Sequence, residues 1–315
     1  MTERLEEMDI LCLGEPMIEF NQSAPGGAYL QGFGGDTSNA AVAAARQGAA
    51  AGYAGATGAD VFGDLFHDLW AREGVDDAGV LRMAQAPTGI YFVTHGPKGH
   101  VFSYRRSGSA ASLMRPDDLP FELLRETRVL HVSAISQAIS ASACDTVFAA
   151  IEEVREAGGL ISYDTNLRLA LWPLPRARAV VEATAAMADI LLPGLDDARL
   201  LTGLETAEEI AAHYHALGAT RVALTLGADG VFYSGPEGRE RIAPHQVEAV
   251  DATGAGDAFD GAFLAEFLKS GDGLAAARHA NAAAALAVCG YGAVAPLPHR
   301  ADVLAFLAKQ ERRGA

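Results

Sequence analysis

An α/β fold built on a mostly parallel sheet is what this sequence predicts, and two observations carry the prediction. Short apolar runs alternate with longer amphipathic ones along most of the 315 residues, and strands alternating with helices of such lengths build βαβ units. Hydrophobic residues make up 50 % of the chain, enough for the large core that such a sheet buries on both faces. The length suits one large α/β unit, and no internal repeat or low-complexity linker divides it. Residues 1–315 are therefore expected to form a single domain.

Taken in order, Asp9–Leu13 reads as the first strand. Met17–Phe33 then breaks the alternation, with strand-like patterning and turn punctuation but no helix between strands. Helical patterns follow at Thr37–Gln47 and Val61–Glu73. Gly89–Arg106 breaks the alternation again: in IYFVTHGPKGHVFSYRR a Gly-Pro-Lys-Gly turn joins two strand-like runs, which reads as a hairpin. Side chains alternate along a strand, so Phe102, Tyr104 and Arg106 share one face while Ser103 and Arg105 share the other. The hairpin is either a structural edge or part of a small sheet covering a site. Arg128–Ser133, Leu160–Tyr163, Asp189–Leu192 and Arg221–Leu226 read as further buried strands. Ala143–Ala157, Arg176–Met187 and Ala207–Leu217 supply helices between them, and three more helices follow near Ala255–Lys269, Leu274–Val288 and Ala301–Gln310.

Composition excludes several classes. The formal charge of -16, from 40 acids against 24 bases, comes without any basic block, which argues against nucleic acid as a partner. A local basic pocket for an anionic substrate stays compatible with that balance. The three cysteines, Cys12, Cys144 and Cys289, lie far apart, so neither a disulfide framework nor a zinc site is expected and a reducing cytoplasm fits. The acidic start MTERLEEMD does not read as a signal peptide. The apolar stretch Ala282–Ala295 is too short to span a bilayer and contains Gly290 and Gly292, so it reads as a buried small-residue helix followed by a turn, and no membrane partner is expected.

The stretch DATGAGDAFDG, residues 251–261, carries the most chemistry. It reads as a strand end, a glycine turn and a helix N-terminus. The first N–H groups of a helix lack partners within it and, with the helix dipole, favour anions. Gly254 and Gly256 would let a phosphate approach the backbone, and Asp257 would stand beside it, ionised at neutral pH from an ordinary pKa of about 3.9. A carboxylate there can accept the proton of a hydroxyl attacking phosphorus, in a reaction where positioning and charge neutralisation supply most of the rate. An ordinary helix cap is the simpler alternative. A dinucleotide fingerprint does not fit, because the glycine after Gly256 is Gly261, and no P-loop Gly-Lys-Ser/Thr occurs.

The longer stretch DATGAGDAFDGAF resembles the C-terminal signature of the PfkB/ribokinase family of carbohydrate kinases, and GFGGDTSNAAVAAARQG, residues 32–48, resembles its N-terminal glycine motif. Both stand in the family's order and separation. The resemblance implies a ribokinase-like three-layer α/β/α sandwich with a small β lid, contributed by segments near 15–33 and 89–106. It implies phosphorylation of a sugar hydroxyl by ATP, with Asp257 as catalytic base and the backbone of Gly254, Ala255 and Gly256 as the anion hole. TLGADGVFY, residues 225–233, looks like the nucleotide loop, with Thr225, Gly227 and Gly230 at matching positions; a plain turn at Asp229-Gly230 is the alternative. Asn166 and Asn281 complete the nucleotide contacts that the resemblance implies, Asn281 being equally compatible with a structural role on its helix.

Within the family, GGDTSN, YRRSGSAAS (104–112) and YDTNLRLALW (163–172) are similar to the 2-keto-3-deoxygluconate kinases. Such a substrate carries a carboxylate, which the planar fork of arginine binds with two hydrogen bonds. By resemblance Gly35, Tyr91, Tyr104, Arg106 and Arg168 contact the sugar, with Asp36 and Asn39 on its hydroxyls. Arg105 is the alternative to Arg106 on the opposite strand face, and Arg168 is also compatible with ATP phosphates. Kinases of fructose, ribose or another sugar acid, and a non-catalytic sugar or nucleotide sensor, stay open. Mg2+ is expected with ATP. Its organising residue is unassigned, because Gly194 and Asp197 stand where many relatives carry Asn-x-x-Glu; Asp196 or Asp197 either substitutes or simply begins a helix. Free edges on a β lid favour pairing with a second copy, so a homodimer or higher homo-oligomer is expected.

Overall fold

The computed structural model describes residues 8–22, 24–96 and 99–314. The N-terminal half contains β1 (Ile10–Gly14), β2 (Met17–Gln22), β3 (Tyr29–Gly34), α1 (Asp36–Arg46), β4 (Ala51–Gly58), α2 (Val61–Glu73), β5 (Asp76–Met83), β6 (Gly89–Gly96) and β7 (Gly99–Arg105). Next come α3 (Ala110–Leu113), α4 (Phe121–Glu126), β8 (Val129–Ser133), α5 (Ala134–Ala138), α6 (Ala141–Glu156), β9 (Leu160–Asp164), α7 (Leu174–Ala185), β10 (Ile190–Leu191), α8 (Leu195–Thr202) and α9 (Ala207–Leu217). The chain closes with β11 (Arg221–Thr225), β12 (Val231–Gly235), β13 (Gly238–Ile242), α10 (Ala255–Ser270), α11 (Gly273–Ala287) and α12 (Arg300–Gly314).

Nine of the described strands form one sheet in the order β13-β12-β11-β10-β9-β8-β1-β4-β5. Pairing is parallel from β5 across to β11, and β12 and β13 add an antiparallel edge. Alternation along β1 explains the layering. Ile10 and Cys12 face one core with Tyr53, Trp70, Phe259 and Phe263, whereas Leu11 and Leu13 face the other with Ile151, Val181 and Tyr214. Both sides of the strand are dry, so helices must cover both. The first core takes α1, α2, α10 and α11; the second takes α6, α7, α8 and α9.

The sequence reading missed β4, AGYAGATG, which has three glycines and little β propensity. All eight residues are buried. Close approach explains the glycines: a methyl group on Gly55 would fall 2.6 Å from Gly14 O, and one on Gly58 2.7 Å from Thr88 N. Tyr53 supplies the strand's bulk by stacking on Trp70, centroids 4.7 Å apart. The amphipathic β5 and the edge hairpin of β12 and β13 also went unread as strands.

The two segments that broke the alternation form a second sheet, in the order β3-β2-β6-β7. Its centre is the parallel pair β2 and β6, flanked by antiparallel partners. The expected turn at Pro97 and Lys98 lies outside the described residues. Phe102 and Tyr104 do share a face, both stacking near Tyr91 at 6.4 and 5.8 Å. Cys12, Cys144 and Cys289 are free. Among the described residues no helix is long and apolar enough to cross a membrane.

Candidate active site

Parallel strands deliver their carboxyl ends to one edge of the large sheet, where ligands of open α/β sheets gather. Here that edge opens into a cleft of about 780 Å³, and the small sheet contributes Tyr91, Phe102 and Tyr104 to its wall. Two helices begin in it. The first, α1, starts after Gly35, whose φ of 100° and surroundings leave no room for a side chain, since an added methyl group would fall 2.4 Å from Glu15 O. The second, α10, starts after Gly254, with φ 77° and an added methyl group 2.8 Å from Ala293 O. Asp36 and Asp257 occupy the respective first turns.

The helices touch through small residues, and this brings the two sequence motifs together. Asn39 Nδ2 of α1 donates to Asp257 Oδ2 of α10 at 2.7 Å, leaving buried Asn39 Oδ1 without a partner. Asp36 accepts from Ser133 Oγ and, at 3.2 Å, from Asn166 Nδ2. Asp251 shapes the turn ahead of α10: Oδ1 accepts from Thr253 N at 3.0 Å and Thr253 Oγ1 at 2.7 Å, and Oδ2 from Gly292 N at 3.0 Å. Gly254 and Gly256 line the cleft. The Ala255 amide departs from expectation, because it turns back onto Ala252 O at 3.2 Å.

The charge state of Asp257 is a second correction. Desolvation by the surrounding protein, reinforced by the Asp36 charge, pushes its carboxyl up to about 7; the Asn39 hydrogen bond and Arg168 oppose the rise. Protonation therefore competes with its use as a base near neutral pH. Asp164, at the end of β9, is pushed up to about 8, by burial first and then by Asp36 and Asp257. Asp260, one turn beyond Asp257, is raised by burial and by Asp164. Burial lowers His131 to about 4, so the imidazole is neutral where it stands 3.7 Å from Asp260.

A carboxylate acting as base must be ionised, so its protonated fraction limits the rate at low pH. We expect log kcat/KM, which reports the free enzyme, to rise with unit slope up to about pH 7 and then level off. Asp36→Asn removes a repelling charge and should move that limb to lower pH. A pH–rate series on both proteins checks this; a limb that stays in place denies the coupling.

Among the remaining expected residues, Tyr91, Tyr104, Arg106, Asn166, Arg168 and Thr225 all line the cleft. Arg106 is not a free cation, however. Its Nε donates at 2.7 Å to Oε2 of Glu15, a carboxylate even more deeply buried than the guanidinium. Arg105 is exposed, and its Nη1 donates to the Tyr104 carbonyl. Arg168 Nη1 donates to Leu167 O at 2.9 Å and lies 4.0 Å from Asp197. Asp197 lines the cleft and accepts from Leu167 N at 2.9 Å, while Asp196 points into solvent at the start of α8.

Three residues assigned to the nucleotide stand apart from the cleft wall. Asn281 Nδ2 donates to Ala243 O at 2.9 Å, holding α11 to the segment after β13. Gly227 opens a single 3-10 turn, and Gly230 packs against Ile242 O, where a methyl group would come within 2.1 Å. Both serve the tight turn between β11 and β12. Reading from sequence missed Glu15, Asp164 and Asp260. Signals existed: Glu15 and Asp164 stand at the carboxyl ends of buried runs, and Asp260 lies three residues after Asp257, on the same helix face.

Known proteins share this architecture. The chain is 33 % identical to fructokinase-1 of Zea mays over 317 residues, covering 95 % of this chain and 98 % of that protein. It is 32 % identical to the 2-dehydro-3-deoxygluconokinase of Bacillus subtilis (strain 168), covering 96 % and 97 %. The crystal structure of a fructokinase with bound ATP from Xylella fastidiosa superposes with a TM-score of 0.88 at 27 % identity, covering 97 % and 99 %. The profile of the pfkB family carbohydrate kinase matches residues 8–300. A profile match over nearly the whole chain, beside relatives 33 % and 32 % identical across it, means that this chain belongs to the pfkB family of carbohydrate kinases.

Proposed function

We propose that this kinase transfers the γ-phosphate of ATP to the terminal hydroxyl of 2-dehydro-3-deoxy-D-gluconate. The observation that carries the substrate is the presence of two arginines, Arg106 and Arg168, in the same cleft as Asp257. A sugar acid needs such cations and a neutral sugar does not. Asp257 takes the hydroxyl proton as the sugar oxygen bonds to phosphorus; the bond from phosphorus to the bridging oxygen breaks, and its electron pair leaves with ADP. The amides at Gly254 and Gly256 hold the transferring phosphoryl group. Asn39 keeps the carboxylate in line. Exposed Leu30 and Val101 on the small sheet are the residues a second copy would cover.

Mg2+ suits the cleft chemically. Phosphates and water supply most ligands of a nucleotide-bound Mg2+, and Asp197 offers a carboxylate on the cleft wall next to Arg168. The ion would neutralise phosphate charge.

Fructose is the second reading, favoured by the Glu15 carboxylate that already compensates Arg106. Phosphorylation followed by ADP release over a panel of sugar acids and neutral sugars decides between them. We expect the sugar acid to be preferred, and Arg168→Ala to reduce kcat/KM for it at least about 10-fold more than for fructose, the scale of a lost charge-assisted contact. A wild type that prefers fructose, or equal losses on both sugars, removes the sugar-acid reading. Absence of ADP release with every sugar would favour a sensor.

A further inference from the structure

Glu15 lies at the junction of the two sheets. The chain crosses between the sheets at four places: 15–16 between β1 and β2, Gly35 between β3 and α1, 84–88 between β5 and β6, and 106–109 between β7 and α3. Glu15 stands at or next to all four. It is itself the first crossing, and its carbonyl presses on Gly35, where a methyl group would fall 2.4 Å away. Its Oε1 faces Gly89, the first residue after the third crossing, where a methyl group would fall 2.8 Å away. At the fourth, Ser109 Oγ donates to Oε1 at 2.6 Å and Arg106 Nε donates to Oε2 at 2.7 Å.

The pair is dry on the protein side, with side-chain exposures of 1 % for Glu15 and 10 % for Arg106, yet both residues border the cleft beside Tyr104. The Arg106 guanidinium carbon also stands 5.5 Å from the Tyr104 ring centre. The carboxylate at Nε and the ring beneath together restrain the guanidinium. A planar donor fork is useful to a ligand only when it is pre-aimed.

We propose that Glu15 is a positioning residue: from the junction of the sheets it aims Arg106 at the sugar and thereby sets sugar affinity. The inference rests on the reading that the sugar occupies the small-sheet end of the cleft. Glu15 itself touches no reacting atom. Its influence passes through Arg106 and belongs to the sugar alone, so ATP should not sense its loss.

The test uses the sugar that wild type turns over best in the panel above, so failure of the substrate reading shows in wild type and failure of this inference in the variants. Glu15→Gln keeps the shape and removes the charge. We expect sugar KM to rise about 10-fold or more, ATP KM to stay within about 2-fold, and Glu15→Gln/Arg106→Ala to be no worse than Arg106→Ala, because coupled residues do not add. Unchanged sugar KM, a parallel rise in both KM values, or additive losses would overturn the proposal. Glu15→Gln leaves a buried cation unpaired, which alone can prevent folding. In that case Glu15→Gln/Arg106→Met, which removes both charges, should fold and show the raised sugar KM of Arg106→Met; a wild-type sugar KM in that pair would equally overturn it.

Discussion

Asp257→Asn is expected to lower kcat by about 100- to 10,000-fold, the range that a positioned general base contributes, with KM for ATP little changed. Asparagine fills the same space beside Asn39 but cannot take a proton. The same substitution should make the protein more stable at high pH. Its folded-state pKa of about 7 stands above the ordinary 3.8. The contribution of this carboxyl to stability is therefore full below about pH 4 and is lost as pH rises through 7, because the folded state resists an ionisation that the unfolded chain accepts. The neutral amide escapes that decline. Thermal denaturation should show a higher Tm for the variant at pH 8 and nearly equal values at pH 4. Wild-type turnover in Asp257→Asn would exclude the base, and a lower Tm at pH 8 would exclude the electrostatic burden assigned to it.

Gly261→Val should be the most damaging substitution away from the cleft's chemistry. Gly261 sits where α10 crosses α1, and its Cβ would fall 2.3 Å from Ala40 O, 2.6 Å from Ala43 Cβ and 2.7 Å from Ala44 N. Two of those atoms are backbone, so relief requires the helices to part. Overpacking of a filled core costs about 1–3 kcal/mol or more, and a whole branched side chain here belongs at or beyond the upper end. Function should suffer as well, since the separation of α1 from α10 sets the Asn39–Asp257 hydrogen bond. Denaturant melts and kcat on the surviving folded fraction check both parts. Gly256→Ala is the contrast: no atom outside its own stretch of helix lies within 4 Å of its new methyl group, so stability should hold. Equal Tm values for the two variants would contradict this packing account.

These two glycines show how far local sequence reaches. GAGD announces that backbone must be exposed next to a carboxylate, and Gly254 and Gly256 line the cleft beside Asp257. The role of Gly261 is invisible in the same stretch, because the atoms that forbid a side chain belong to a helix about 220 residues earlier in the chain. The amphipathic helices and the strands with two apolar faces were legible for a similar reason: periodicity is a local property and burial enforces it. In β4 the enforcement comes instead from Gly14 and Thr88, which lie outside the strand, and propensity pointed elsewhere.

Residues 32–48 and 251–263, read alone, determined the family's chemistry: a sugar kinase with an acidic side chain at a helix mouth. Only the tertiary structure decided the electrical state of that site. The proton affinity of Asp257 depends on Asp36 and on the protein displacing water around it, and the availability of Arg106 depends on Glu15, 91 residues away along the chain. Charges interact through space and through the solvent they exclude. Neither the neighbouring carboxylates nor the missing water can be counted until the chain has folded.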